Sequence, residues 1–500
     1  MKWLNFLHFY QPAGQQKDIL EAVVKQSYQP ILEKVNEIDG VKMTMNISGS
    51  LLELFEKYDY GHLIELIKNA LKDGKLELTG SCKYHAFLPL IPEEEAIRQI
   101  QLNEETLHKY FGGLYQTAGF FPPEMGYYPK IAPMIEKLGF KWIVLDEIAN
   151  PENKMQGIDS TLYKIKDTNL KVFFRNRRIS NMIMSAVVSN KETLRSALKT
   201  ELAGDDYFLT GMDGETFGHH RVGLERLLFL IVSSPEFSTT SISQFMKECE
   251  SKYLVKEVTP ISSTWASSPL DIKEGIQFLS WFDKSNIIHK FQWDFLELAL
   301  KLVHLCPKDS PKYEEIRHIM DIGIASDHFW WASGKPWWSL EMIENGAFQL
   351  MEIVRKAPNV SEKELNEAHE LYQKIVSTAF EWQRSGKIRE MNRERDQLLR
   401  IPFVDRTVSK GGAEEGVYYA FTDMIKDLEK KAAEKGEYEK AILWRDALFK
   451  FEKKLDMYDV VNAIELLRQE IPHEEVEAII EKYKEKYRQM RGGQPEQRGR

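Results

Sequence analysis

The stretch Tyr207-Phe-Leu-Thr-Gly-Met-Asp-Gly-Glu-Thr-Phe-Gly-His-His220 starts as an apolar, β-prone run and stops at Asp213 in acid, glycine, acid. In parallel β/α folds chemistry collects where strands stop, so Asp213 reads as a site residue and the run before it as a strand. A second run ends the same way. Gly119-Phe-Phe-Pro-Pro123 leads into Glu124, then Met125, Gly126, Tyr127 and Tyr128. Carboxylates at two strand ends point to acid/base work. Taken singly, each reads equally well as a cap of the helix that follows, since carboxylates favour helix N-termini.

Similar β-prone runs recur at Trp3 to Phe9, Val41 to Ile47, Lys75 to Thr79, Trp142 to Leu145, Val172 to Arg175 and Val258 to Trp265. Helix-patterned segments lie between many of them, as at Leu51 to Leu71 and Glu93 to Tyr110; the latter opens with Pro92 and three acids, a strong start signal. Strand, helix, strand over residues 1–270 predicts a parallel barrel or a doubly wound sheet. Seven or eight runs with polar C-terminal ends favour the barrel. From Ile272 the pattern turns helical, through Ile276 to Cys306, Ile316 to Arg355, Glu362 to Gln383 and Glu414 to Lys435, with Ser409-Lys-Gly-Gly412 as a breaker. The expected organisation is therefore a barrel over 1–270, a helical module over 271–400, a second helical region over 401–490 and a disordered Gly/Gln/Arg-rich tail over 491–500. Ile425 to Leu455 reads as a charged helical hairpin turning at Lys435-Gly436. Its segment Tyr438-Glu-Lys-Ala-Ile-Leu-Trp-Arg-Asp446 resembles the UVR-type interaction motif, although the match is short and unspecific and an ordinary surface hairpin laced by i, i+4 charge pairs is the favoured reading.

The chain has 500 residues, 67 Lys+Arg against 76 Asp+Glu and a formal net charge of -9. With no long basic cluster before the C-terminus, nucleic acid is not the expected partner. No run approaches the roughly 20 apolar residues that span a bilayer, so no membrane partner is expected. The apolar N-terminal run is cut short by His8 and Gln11-Pro12, and no targeting segment is read there. Cys82, Cys249 and Cys306 stand far apart with no CxxC pair, so neither a disulfide framework nor a thiolate zinc site is indicated, and a reducing cytoplasm fits best. Aromatic residues cluster at Trp330-Trp331 and Trp337-Trp338. Such faces stack on sugar rings as readily as on each other, so the cluster is a sugar platform or core.

Side chains alternate along a strand, so His8 and Tyr10 point to one side and Phe9 to the other. At a barrel mouth both would offer hydrogen bonds to hydroxyls; elsewhere they are a satisfied core pair. Glu77, alone between Leu76 and Leu78, is costly to bury unpaired. Four strand ends thus carry His8 with Tyr10, Glu77, Glu124 and Asp213.

With these motifs the sequence resembles glycoside hydrolase family 57, retaining α-glucan-active enzymes with an incomplete seven-stranded barrel followed by helices. Counterparts of the family's five short regions occur in order: His8-Phe-Tyr-Gln-Pro12, Lys75-Leu-Glu-Leu78, Phe121-Pro-Pro-Glu-Met-Gly-Tyr127, Met212-Asp-Gly-Glu-Thr-Phe-Gly218 and Ser326-Asp-His-Phe-Trp-Trp331. The resemblance implies an incomplete (β/α)7 barrel followed by an all-helical region, with Glu124 as nucleophile and Asp213 as general acid/base. It places His8, Tyr10, Glu77, His220, Asp327 and Trp330 in substrate binding. Tyr10 stands where the family usually has a second histidine, and His220 where some members have a stacking tryptophan.

The expected chemistry is double displacement on an α-1,4-glucan or maltooligosaccharide, without metal or cofactor. Retention asks for carboxyls about 5 to 5.5 Å apart. Glu124 must be ionised and Asp213 protonated, helped by the apolar Phe208-Leu209 approach and by a charged Glu124 nearby. Glu215 is the alternative acid; the resemblance selects Asp213, the residue pattern alone does not. Since Asp327 and Trp330 lie in the helical module, that module is expected to fold over the barrel mouth, with Trp331, Trp337 and Trp338 as packing. Cys82, Lys83 and His85 follow their strand closely enough to approach the site.

An α-amylase-type hydrolase and a 4-α-glucanotransferase are the leading functions, a branching enzyme a variant. A metal-dependent polysaccharide deacetylase recruiting His8, Asp213, His219 and His220 is a rival, weakened by the lack of an early Asp-Asp pair and of a matching His-x3-His. The third reading is a non-catalytic glucan-binding protein. The C-terminal helices are a surface for a protein partner or for self-association.

Overall fold

Along Lys2–Phe9 (β1), Trp3, Leu7 and Phe9 pack outward with the flanking helices, whereas Leu4 and Phe6 pack with the other apolar residues inside the barrel. The period of two sorts one strand between two cores. His8 continues the inward set at the end where the strand stops. The computed structural model describes residues 2–151, 161–186, 188, 190–198, 207–249, 254–335, 337–391, 417–453, 466–467, 470–472, 475–476 and 478–483. The tail at 491–500 and the breaker Ser409 to Gly412 lie outside them.

The other strands are β2 (Met43–Ile47), β3 (Leu76–Thr79), β4 (Gly119–Phe120), β5 (Trp142–Asp146), β6 (Thr161–Ile165), β7 (Lys171–Arg175), β8 (Tyr207–Asp213), β9 (Ser238–Thr240) and β10 (Leu254–Val258). Parallel pairing runs β4, β5, β7, β8, β1, β2, β3. A single parallel bridge from Gly80 to Phe120 joins the two ends and closes a seven-stranded ring. Its hydrogen bonds are Gly80 N to Gly119 O and Phe121 N to Gly80 O, both 2.9 Å. Gly119 is required there: a Cβ would lie 2.1 Å from the Trp142 ring. β6 pairs antiparallel with β7 and parallel with β10, and β9 runs beside the start of β1. The helix Ile242–Cys249 packs Ile242, Phe245 and Cys249 into the inner core.

Several expected boundaries shift. Leu51 to Leu71 is two helices, Gly49–Lys57 and Gly61–Lys72, because Asp59 takes a positive φ of 65° between them. The expected strand Val258 to Trp265 ends at Val258; Pro260, which cannot donate to a ladder, stands two residues on. β6 and β9 were not read from the sequence. Ile276 to Cys306 is helical only over Ile287–Leu305, capped by Asn286, whose side chain accepts from Ile288 N and His289 N.

The chain divides into two compact units. The first, 1–333 with 337–381, holds the barrel and the helices Ile287–Leu305, Tyr313–Gly323, Asp327–Trp330 and Leu340–Lys356. The division falls at residue 382, before the boundary at 400 expected from the sequence. In the second unit, helices Val417–Glu434 and Tyr438–Lys453 turn through Gly436 (φ 76°) and bury Phe421, Ile425 and Trp444. Lys431 pairs with Asp427 at 2.6 Å in the i, i+4 manner. Cys82, Cys249 and Cys306 are buried, and none is in a disulfide among the described residues. Among the described residues no helix is long and apolar enough to cross a membrane.

Candidate active site

β8 carries Asp213 at its last position, in register with His8 on β1. Glu124 follows β4 in a short turn set by Pro122 and Pro123, with φ 60° and ψ 17°. Trp265 grips that turn twice: its Nε1–H donates to Glu124 Oε2 at 2.6 Å and its backbone N–H donates to Glu124 O at 3.2 Å. Burial pushes the Glu124 carboxyl up to about 8, and the charges of Asp213 and Asp327 add to it, against the Trp265 hydrogen bond. Burial also raises Asp213, and Arg175 opposes the rise. Glu124 and Asp213 therefore feel each other's charge and do not ionise together at neutral pH. The sequence reading had Glu124 ionised outright; in the free site its own burial and its acidic neighbours favour a proton on it.

Tyr10 reaches from the end of β1 to the helical module, where its hydroxyl donates to Asp327 Oδ2 at 2.6 Å. Burial raises Asp327 to about 6 while the Tyr10 bond lowers it, leaving Asp327 ionised at neutral pH. His85 stacks on Tyr10, ring centroids 4.2 Å apart. Behind them runs a chain of defined polarity. Asn46 turns its Nδ2 toward Thr79, so its Oδ1 accepts from His8 Nδ1–H at 2.8 Å. His8 Nε2 must then accept from His85 Nε2–H at 3.2 Å, and His85 Nδ1 accepts from the Ser326 hydroxyl at 3.0 Å. Burial lowers His8 to about 4 and His85 well below its usual range, so both are neutral. The chain anchors Ser326, and with it Asp327, to the barrel.

Residues not singled out by the sequence complete the group. Arg175, buried at the end of β7, donates from NH1 to Asp146 Oδ2 at 2.6 Å and from Nε to Gly211 O at 2.6 Å, and lies 5.8 Å from the Trp265 ring centroid. It therefore backs Trp265, which holds Glu124, while moderating Asp213. Its position as the last polar residue of a β-prone run was the available signal.

The remaining expectations fall in different places. Glu215 is buried, and its Oε1 accepts from Gln11 Nε2 at 3.0 Å and from the Tyr28 hydroxyl. Asp213 retains partial exposure and so is the better placed of the two to meet a substrate. Glu77 is not brought to the mouth. β2 and β3 pair Thr44 with Glu77 and Asn46 with Thr79, so Thr79 takes the outer layer; Glu77 accepts from Thr44 Oγ1 at 3.0 Å and Ser243 N at 3.1 Å, at the start of the helix Ile242–Cys249. His220 is exposed on the loop after Asp213 and anchors it by donating its backbone N–H to Glu215 O at 2.7 Å. Trp330 stacks on Trp337 at 4.2 Å and meets Trp331 edge-on at 4.8 Å. Of the residues after β3, His85 joins the site, Lys83 pairs with Glu53 at 2.7 Å, and Cys82 is buried. Among the described residues no group of three or more His, Cys, Asp or Glu is arranged to hold a metal ion.

Comparison with known proteins gives the site a family. An α-amylase of Pyrococcus horikoshii is 29% identical over 150 residues, 29% of this chain and 23% of its own length. A 4-α-glucanotransferase of Thermococcus litoralis is 28% identical over 152 residues, 29% of this chain and 22% of its own length. The matched stretch thus spans less than a quarter of these relatives. Among solved structures, an exo-type maltose-forming amylase of Pyrococcus sp. ST04 shares the fold with a TM-score of 0.58 and 13% identity, covering 88% of this chain and 95% of that one. The sequence profile of glycosyl hydrolase family 57 matches residues 4–259, just over half of the chain. That span holds the segments carrying His8, Glu77, Glu124 and Asp213, and the chain belongs to glycosyl hydrolase family 57.

Proposed function

We propose that the protein acts on α-1,4-linked glucans by retaining double displacement, as an α-amylase-type hydrolase or a 4-α-glucanotransferase. The observation that carries this reading is the pair Glu124 and Asp213, at the ends of β4 and β8, each partly exposed and the first raised by its burial and by the charge of the second. Such a pair holds one proton across the neutral range, which is the state double displacement needs. The names of the sequence relatives, α-amylase and 4-α-glucanotransferase, support the substrate class.

In the reactive form the proton is on Asp213 and the charge on Glu124. The Glu124 carboxylate attacks the anomeric carbon while the glycosidic C–O bond breaks and Asp213 gives its proton to the leaving oxygen. The Trp265 N–H fixes the orientation of the nucleophile through its second oxygen. Asp213, now a carboxylate, takes a proton from water or a sugar hydroxyl, whose oxygen attacks the anomeric carbon and releases Glu124. Ionised Asp327, oriented by Tyr10, accepts hydrogen bonds from sugar hydroxyls, and the half-exposed Trp330 offers an aromatic face.

The test is the product profile from maltoheptaose, with and without added glucose, for the parent and Glu124→Gln. The parent is expected to yield shorter sugars alone if water is the acceptor, and longer sugars beside them if a glucan is. Glu124→Gln should lower kcat on the order of 10³-fold or more. Equal rates for parent and variant would remove the assignment.

A further inference from the structure

Between the helices Lys17–Val23 and Gln29–Glu37 the chain makes one π-helical turn, Val24–Tyr28. Pro30 helps to explain it: without an N–H it cannot donate to the carbonyl of Gln26, four residues back. The freed carbonyl receives the loop after Asp213. Gly218 (φ 105°) lies so close that a Cβ there would stand 2.0 Å from Gln26 O. Ser27 Oγ donates to Gly214 O at 2.8 Å, and the Tyr28 hydroxyl lies against Glu215 Oε1, with Tyr10 O at 3.1 Å as the other acceptor within its reach. Gln11 Nε2 donates to the same oxygen at 3.0 Å. π-turns are enriched at functional sites, and this one seats the loop that carries the acid.

Two donors thus converge on Glu215, whereas Asp213 takes no capping bond, and no hydrogen bond to its carboxyl is present among the described residues. A proton shared by two buried neighbouring carboxyls settles on the one without donors, because hydrogen bonds to the charged form favour charge. The other groups facing the pair are Arg175 from β7, Glu124 from the β4 turn, neutral His8 from β1, and His219, His220 and Arg221 farther along the same loop. Arg175 alone would pull Asp213 toward the carboxylate; an anion at position 215 offsets it.

Resting on the roles assigned to Glu124 and Asp213, we propose that Glu215 is a positioning residue: clamped by Tyr28 and Gln11, its carboxylate keeps the shared proton on Asp213. In that reactive form Glu124 is the anion that attacks. Burial and then the charge of Asp213 push Glu215 up to about 8, against the bonds from Tyr28 and Gln11; once Asp213 holds the proton that charge is gone, and the clamp is what makes the Glu215 anion tenable.

The test compares pH profiles of kcat/KM on maltoheptaose for the parent, E215Q and Y28F, with D213N as control. E215Q keeps an oxygen for Tyr28 and removes only the charge. The alkaline limb should move down by about one pH unit in E215Q and by less in Y28F, with KM nearly unchanged. A limb that stays in place in E215Q, whatever happens to kcat, overturns the proposal. D213N as active as the parent would instead overturn the catalytic assignment. Carbon-13 titration of aspartate-labelled parent and E215Q reads Asp213 without turnover: a lower midpoint in E215Q supports the proposal, and an unmoved one overturns it.

Discussion

Glu124 sits in the left-handed backbone region at φ 60°, and Met125 follows at 49°, two successive non-glycine residues where side chains are disfavoured. Such positions cost on the order of 1–3 kcal/mol each and persist where the surroundings over-determine them. Here the surroundings are Pro122, Pro123 and the paired grip of Trp265. The buried carboxyl adds a pH-dependent cost. Its usual value is 4.5 and in the fold it is about 8, so between those values the folded state binds more protons than the unfolded one. Stability is therefore lost as pH rises through that window, by up to about 1.4 kcal/mol per pH unit from this group. Glu124→Gln lacks the term and keeps an acceptor for Trp265. Its Tm should exceed that of the parent by more at pH 8 than at pH 5, measured by calorimetry; a pH-independent difference would show that Glu124 is not the group responsible. Glu124 and Asp213 were legible because acids end their apolar runs. Tyr28 was not: its partner Glu215 is 187 positions away, and nothing in a helical pattern names such a contact. Glu77 misled for the converse reason, since a lone acid in a strand signals a buried partner but not at which depth of the barrel.

Among the elements, the helix Glu93–Phe111 is tied to the helical module by charge. Glu95 accepts from Arg317 NH1 at 2.9 Å and NH2 at 2.5 Å, and from His304 at 2.8 Å. Arg98 forms a two-bond fork onto Asp321, each bond 2.7 Å. Burial raises the Glu95 carboxyl, but Arg317 outweighs it and holds the group below its ordinary value. The pairing therefore contributes stability above that ordinary value, lost as pH falls through the depressed one. Replacing Arg317 with Leu leaves Glu95 buried without its arginine, and Asp321 with Arg98 alone, and should cost about 3–5 kcal/mol in urea unfolding at pH 7. The deficit should shrink at acid pH, where the parent loses the same term; an equal deficit at both would point to packing alone. The start of the Glu93 helix was legible from Pro92 and the acids behind it. That one of those acids anchors a second layer of helices was not, because capping alone accounts for all three.

At the scale of the molecule, the alternation of runs and helices was enough to indicate a barrel, because each strand sorts its side chains between an inner and an outer core. How the ring closes was hidden: β4 has only Gly119–Phe120, and its tie to Gly80 is one bridge. β1, by contrast, pairs with β8 over seven positions. Amide exchange should reflect this, with Gly80 and Phe121 exchanging faster than Leu4 and Phe6, as read by hydrogen-exchange mass spectrometry. Equal protection would mean that the helices outside, rather than the strand pairing, hold the ring shut. Phe121 lies three residues before Glu124, and Gly80 five before His85. The clasp of the hoop and the two sides of the mouth are thus continuous segments, so slack at the clasp is slack in the spacing between Glu124 and the histidine side. An oligosaccharide gripped by both sides would draw the clasp tight, and its first imprint on exchange should appear at Gly80 and Phe121 rather than deeper in the barrel.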